Sequence, residues 1–432
     1  MATFLGMRGT GDWTTVADNR PMNWRNNIFR LYPNGSMPLT GITSMMRTES
    51  TDDPQFHWWE DVLPTQAGAI TGLYTDSIMS AAYASGGVAG TVLYVKCAEA
   101  TALQIRAGHV VVLRDSDDYN VDVMAKVLDS VADGANSKIS VKLLEADDNA
   151  TGTSHDLSDA DRILVAGSVN AEGATRPTAI SREATKIYNY TQIFRTPVEI
   201  TGTQMSTRIR PEGDAWKLQK RDALELHGME MEKAFIWGIP TENTGTNGKQ
   251  ERTTGGLLHF TKTYASDNVA DYTLETDSAY ASKTWKTAGK DWLNTYLEQI
   301  FRYGDMEKLA LCGSGAVLGL NILAETYGDI QLKPAETAYG LKVMKWLTPF
   351  GEINLKIHPL FSYEATNRNS MLIVEPKRIK MRPLKGRDTK YIKDSDGKTD
   401  GLSEEWLTEI GFEYNLPETG GYLNGVGLDN SQ

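Results

Sequence analysis

The stretch DAWKLQKRDALELHGMEMEKAFIW, residues 214–237, predicts one long amphipathic helix around which the rest of the chain is organised. Mostly apolar positions recur at helical spacing and, at about 100° per residue, fall within a stripe roughly 120° wide. The stripe comprises Trp216, Ala223, Leu224, His227, Met231, Ala234 and Phe235. The opposite face is predicted to carry Arg221, Asp222, Glu225, Glu232 and Lys233, and Lys220 is the one charge that enters the stripe.

Both ends of this helix carry recognisable signals. Asp214 is a predicted N-cap, because its side chain can accept hydrogen bonds from the first free backbone N–H groups. Gly238 is predicted to end the helix in the left-handed conformation, and Pro240 prevents its continuation. About 24 residues at 1.5 Å each give a rod of roughly 36 Å. We expect its core positions to be Trp216, Leu224, Met231 and Phe235.

Composition places the chain among globular proteins with two to three domains. It has 432 residues, of which 40% are hydrophobic and 23% charged. The formal net charge of −12 disfavours non-specific nucleic-acid binding, which needs clustered Lys and Arg. No run of about 18 apolar residues occurs, so we expect no membrane span. Cys97 and Cys312 are far apart, which predicts no disulfide and folding in a reducing compartment.

Along the chain, the predicted secondary structure changes from extended to β-rich and then to mixed helix and strand. Residues 1–50 read as an arm without a core of its own, and Gln55–Leu63 reads as an aromatic strand. Short β-branched runs separated by turns, between about residues 67 and 203, predict a small barrel or sandwich inserted before the long helix. Two further helices are predicted at 287–303 and 316–325. Strands are predicted at 308–312, 340–347, 352–357, 371–375 and 404–414.

Several motifs approach known chemical sites without completing them. Gly313–Gly319 follows a strand and opens a helix, but its third glycine is one residue late for a dinucleotide site. Gly248-Lys249 lacks the first glycine and the Ser or Thr of a phosphate loop. Asp394, Asp396 and Glu405 have calcium-loop spacing, yet Lys398 and Thr399 stand where an acid and a Gly are needed. The histidines and cysteines show no metal-ligand spacing. We therefore predict no catalytic, cofactor or metal site, and no enzyme.

Four local patterns, in fixed order, resemble one family. They are Ile28-x-x-Leu31-x-Pro33 with Pro38-Leu39; Phe56-His-Trp58 to Leu63; Glu172-Gly173 with Asn189 to Phe194; and Met229 to Gly238 with Thr254-Gly-Gly256. The closing strand Glu405–Gly425 adds to them. Together they resemble tailed-bacteriophage major capsid proteins of the Hong Kong 97 type, in the branch with a β insertion before the spine helix. Met37 departs from the pattern, which has Thr there.

This resemblance implies an α+β capsid fold. Its expected parts are an N-terminal arm (1–50), the first part of an extended loop (51–85), a β-rich insertion (86–180), a return strand and peripheral domain with spine helix 214–237 (181–261), an axial domain (262–362) and closing peripheral strands (363–432). It implies a virion protein that forms hexamers and pentamers of an icosahedral head around phage DNA and assembles in the host cytoplasm. Portal, scaffolding and decoration proteins are candidate partners, and DNA is expected nearby without specific binding. Some relatives cross-link through a Lys and an Asn, but no motif assigns such a pair.

The contact residues are expected among large side chains that an isolated arm or strand cannot bury. We predict that Trp24, Phe56, Trp58 and Trp59 are buried mainly against neighbouring subunits, and that Glu225 lies at a subunit contact. Two other functions stay open at this stage. One is the shell of a bacterial nanocompartment with the same fold. The other is a β-rich virion or cell-surface adhesion protein, which should show trimerisation repeats and a Gly-rich shaft.

Overall fold

The computed structural model describes residues 46–116, 122–147, 157–207, 214–328, 332–338, 341–394 and 400–432. The predicted arm, including Trp24, falls outside them except for its last five residues. The chain divides into two compact units. The first unit contains the chain up to Trp58 and again from Ile187 to Gln432, and the second unit contains Trp59–Lys186. The described helices are Glu99–Gln104, Gly202–Ser206, Ala215–Trp237, Leu257–Tyr264, Trp285–Ile300, Ser314–Tyr327 and Pro359–Tyr363.

The second unit is built on a closed six-stranded antiparallel barrel. Around the barrel the strands are Ala67–Tyr74, Val92–Cys97, Lys138–Leu143, Asp122–Val131, His109–Arg114 and Arg162–Ser168. Alternate residues face inward, and Leu93, Leu113 and Ile139 are fully buried there. The insertion was predicted to begin at residue 86, but the barrel already begins at Ala67. The glycine-containing strand Ala67–Tyr74 has a weak β pattern, and its pairing with two distant strands closes the barrel.

The first unit contains a five-stranded sheet, here called the spine sheet, whose centre is the 14-residue strand Gly401–Tyr414. That strand pairs antiparallel with Gln192–Thr201 on one side. On the other side it pairs with Ile379–Pro383 and Lys390–Asp394 along its two halves. Arg47–Thr48 adds a short parallel strand at the edge. Residues 47–48, predicted as part of the arm, therefore belong to this sheet.

A seven-stranded sheet, here called the axial sheet, forms the other part of the first unit. Its order is Val269–Asp271, Gly421–Asn424, Met371–Val374, Glu307–Cys312, Glu352–Ile357, Leu341–Leu347 and Leu332–Ala338. Helices Trp285–Ile300 and Ser314–Tyr327 contribute to its apolar core. The predicted axial domain ended at residue 362, but two strands of this sheet come from beyond it. The buried strand Glu307–Cys312 needs hydrogen-bonding partners on both edges, and Met371–Val374 supplies one of them.

The spine helix, Ala215–Trp237, begins as expected and ends differently. The Asp214 carboxylate accepts hydrogen bonds from the N–H groups of Trp216 and Lys217, at 3.1 and 3.3 Å. Gly238 has φ −56°, so the predicted left-handed ending is wrong. Glycine is needed there for another reason, because an added Cβ would lie 2.3 Å from the carbonyl oxygen of Thr254.

The buried face of this helix is shifted from the predicted stripe. Met231 and Phe235 are buried, and the Phe235 ring stacks on Phe412 with centroids 5.6 Å apart. Trp216, a predicted core position, is only half-buried. Leu224 is 42% exposed, and Glu232, predicted on the charged face, is fully buried. The prediction was wrong for Leu224 and for Glu232. Glu232 is buried because the helix packs on the spine sheet and on helix Leu257–Tyr264 together, so its C-terminal half buries a wider face. Leu224 lies in the N-terminal half, where the described subunit does not cover it sufficiently to bury it.

Candidate functional site

The aromatic strand Gln55–Glu60 divides its side chains between a buried and an exposed face. Phe56 lies against Gly411 of the spine sheet, where an added Cβ would be 2.4 Å from its ring. Trp58 packs on Phe260 with ring centroids 5.6 Å apart. Both are 7% exposed within their own subunit, so their predicted burial against neighbouring subunits is wrong. Because side chains alternate along a strand, Trp59 points the other way and is 62% exposed.

Two of the quoted motifs meet at one buried side chain, Asn189. Its amide nitrogen donates to the carbonyl oxygens of Phe412 and Gly255, at 2.5 and 3.1 Å, and its Oδ1 accepts from the N–H of Gly255 at 2.7 Å. The Gln192 side-chain oxygen accepts from the N–H of Thr254 at 3.1 Å. The Asn189–Phe194 and Thr254–Gly256 motifs therefore join a strand, the segment before helix Leu257–Tyr264 and the central strand.

His227 bridges the spine helix to two strands of the spine sheet. Its Nδ1 lies 2.9 Å from the hydroxyl of Thr196, and its Nε2 lies 2.8 Å from the hydroxyl of Thr408. Burial lowers the pKa of His227, so the ring is neutral at neutral pH and one of its nitrogens accepts. The sequence identified it as a packed helix residue, and its role here is to position the helix.

Lys220, the one charged residue in the predicted apolar stripe, forms an ion pair. The Lys220 ammonium lies 2.9 Å from the nearly buried carboxylate of Glu404. It also lies 4.8 Å from the ring centroid of Trp216 and 4.5 Å from that of Tyr391. An ammonium in this position gains both ion-pair and cation–π stabilisation, which explains why a lysine is tolerated beside the core.

On the face turned away from the spine helix, the spine sheet carries ion pairs along its central strand. Arg195 binds Glu405 through two contacts, of 2.9 and 2.7 Å. Glu409 pairs with Arg387, and Glu413 pairs with Arg382. These carboxylates hold three flanking segments to the central strand.

Sequence reasoning missed a buried acid–base pair at the C-terminal half of the spine helix. Oε1 of Glu232 contacts Nε2 of His358, and both residues are buried. Burial raises the pKa of Glu232, and the hydrogen bond to His358 opposes that shift. Gly228, Glu232 and Phe235 are spaced four and three residues apart and so lie on one helix face. This spacing is the feature of the sequence that could have indicated that Glu232 is buried.

The incomplete motifs have structural roles. Gly313 makes a tight strand-to-helix turn, since an added Cβ would lie 2.2 Å from the carbonyl oxygen of Arg368. The predicted loop around Gly248-Lys249 is a β-hairpin of Thr241–Thr244 and Gln250–Thr253. Of the calcium-loop positions, Asp396, Lys398 and Thr399 fall outside the described residues. Cys97 and Cys312 are buried free thiols. Within the described ranges no group of three or more potential ligands could hold a metal ion, and no helix is long and apolar enough to cross a membrane.

Comparison with known proteins bears directly on function. The sequence model of the family described as SU10 major capsid protein matches residues 9–427. The chain belongs to this family. The capsid protein is also 22% identical over 418 residues to the major capsid protein of Pseudomonas phage PaMx41, across 96% of this chain and 91% of that protein. Its family is one of structural phage proteins, and the described fold is α+β.

Two solved structures match this chain over almost its whole length. The capsid of an empty GTA particle has a TM-score of 0.45 and 8% identity, covering 95% of this chain and 98% of that one. A chain from Microbacterium phage Oxtober96 has a TM-score of 0.43 and 9% identity, covering 98% and 99%. Both scores are below 0.5, so these likenesses add nothing to the family assignment.

Proposed function

We propose that this capsid protein assembles with copies of itself into hexamers and pentamers of a Hong Kong 97-type icosahedral head that encloses phage DNA. The family match across residues 9–427 is the observation that supports this proposal. It favours a phage head over the nanocompartment shell and the adhesion protein considered from the sequence. Assembly takes place in the host cytoplasm before the protein becomes part of the virion.

The proposed contacts use side chains that the subunit leaves exposed. Trp59 is a large aromatic at 62% exposure, and such residues contribute strongly to binding when they become desolvated. On the spine helix, Leu224 and Leu226 are 42% and 51% exposed on either side of Glu225. We include Glu225 and Trp24 in the proposed contact set.

The proposed relation to DNA is proximity without specific recognition. The net charge of −12 disfavours binding by displacement of counterions. On the spine sheet, Arg195, Arg382 and Arg387 already pair with carboxylates. Portal, scaffolding and decoration proteins are the other proposed partners.

The test is expression of the full chain alone, followed by negative-stain microscopy and light scattering over a range of concentrations. Shells or capsomer rings are expected, and a protein that stays monomeric throughout would refute self-assembly. Trp59→Ala should reduce assembly without changing the thermal midpoint of the unassembled subunit. His57→Ala, exposed on the same strand, is the matched control and should assemble normally.

A further inference from the structure

The side chains of Glu232 and His358 are almost completely buried, but each has one polar atom without a hydrogen bond. The Glu232 side chain is 0% exposed and that of His358 is 4% exposed. Oε1 of Glu232 and Nε2 of His358 satisfy each other. The second polar atom of each side chain, Oε2 of Glu232 and Nδ1 of His358, is buried without a hydrogen-bond partner in the described structure. Buried polar atoms are paired in most proteins, so two orphans in one pair need an explanation.

This pair connects two parts of the first unit. Glu232 lies on the spine helix, and His358 directly follows the axial strand Glu352–Ile357. The His358 N–H donates to the carbonyl oxygen of Cys312 at 2.9 Å. Beside the pair, the rings of Trp237 and Phe361 are 5.4 Å apart. Glu232 and His358 therefore form the polar contact of an otherwise apolar joint between the spine helix and the axial sheet.

The number of protons on the pair decides whether this contact is favourable. With one dissociable proton, on either the carboxyl or the imidazole, the pair is neutral and keeps its hydrogen bond. With none, a carboxylate is buried whose Oε2 no donor reaches. A buried charge without compensating partners is strongly unfavourable, so loss of this proton weakens the joint.

Other ionisable groups nearby do not replace either partner. His259, on the helix Leu257–Tyr264 that packs on the spine helix, is kept neutral because burial lowers its pKa. His227, on the spine helix, is neutral for the same reason. Cys312, on the neighbouring strand, stays a thiol because burial raises its pKa. Among described groups, His358 is the one whose charge and hydrogen bond act on the Glu232 carboxyl.

We propose that Glu232 and His358 form a proton switch at this joint. The switch holds the spine helix against the axial sheet while the pair keeps the proton that makes it neutral, and it loosens that contact when the Glu232 carboxyl ionises. Because the switch lies inside one subunit, it does not depend on the proposed shell.

The direction of the alkaline response is consistent with the electrostatics. Burial raises the pKa of Glu232 above its ordinary value. Stabilisation from the protonated carboxyl is therefore complete in acid and is lost as the pH rises through the folded-state pKa.

Hydrogen–deuterium exchange of the full-length capsid protein tests this proposal at about pH 5, 7 and 9, a range that extends upward from the ordinary pKa of a glutamate. After correction for intrinsic exchange rates, segments 229–237 and 357–363 should lose protection as the pH rises and the Glu232 carboxyl ionises. The barrel strand Lys138–Leu143 is the internal control and should show no such profile.

A near-isosteric variant identifies the group responsible. Glu232→Gln cannot ionise, so both segments should keep their protection as the pH rises. A Glu232→Gln protein that loses protection with pH as the wild type does would overturn the switch. If the variant does not fold, the wild-type profile still decides, because exchange that is flat with pH in both segments refutes the proposal.

Discussion

Phe235→Ala removes the central contact between the spine helix and the spine sheet. The side chain is 1% exposed and stacks on Phe412. The helix cannot move in to fill the space, because it is already in close contact with Gly256, where an added Cβ would lie 2.8 Å from the carbonyl oxygen of Phe235. We therefore expect a cost near the upper part of the usual range for a buried Phe, about 4–5 kcal/mol. That is a large share of the roughly 5–15 kcal/mol that stabilises a typical domain.

The assay is thermal unfolding of the unassembled subunit together with soluble yield. A loss of this size should lower the thermal midpoint by roughly 10 °C or more. Leu224→Ala is the matched control, because Leu224 lies on the same helix at 42% exposure. It should change the unfolding free energy by about 1 kcal/mol or less, because less of its apolar area is buried. If the two variants unfold within a few degrees of each other, the assignment of the buried face is wrong.

Three further predictions follow from single contacts. Gly238→Ala should lower the thermal midpoint, since its Cβ would meet the Thr254 carbonyl, whereas Gly167→Ala, with open space around it, should not. Asn189→Ala should cost at least about 2 kcal/mol in chemical denaturation, because it leaves several buried backbone groups unpaired; a cost near zero would exclude its joining role. Burial lowers the pKa of Lys308 to about 8 from 10.5, so the unfolded chain binds more protons between these values, and wild-type stability should rise with pH relative to Lys308→Met. A fall over that interval would contradict this reasoning.

The local signals in the sequence located most elements. The Asp214 cap, the spine helix, helix Ser314–Tyr327 and strands such as Glu352–Ile357 all depend on neighbours within a few residues. The β-rich segment was also evident, since β-branched runs and turn clusters are local features. The sequence further showed the order of motifs that resembles the capsid family, and the family match bears out a phage capsid protein.

Other features were decided by contacts between residues far apart in the chain. Phe56 and Trp58 look like interface residues in an isolated strand, but the spine sheet and helix Leu257–Tyr264 bury them in their own subunit. Strand Met371–Val374 joins the axial sheet because Glu307–Cys312 has an open edge there.

Periodicity alone identifies one face of a helix, whereas tertiary packing decides how wide that face becomes. Glu232 follows the helix rule for a charged position, and only the approach of His358 across 126 residues makes its burial tolerable. Leu224 fits the apolar stripe, yet no element of the described subunit covers it sufficiently to bury it. Hydrogen bonding within a helix sets the spacing of its side chains, but desolvation depends on which distant surfaces come together.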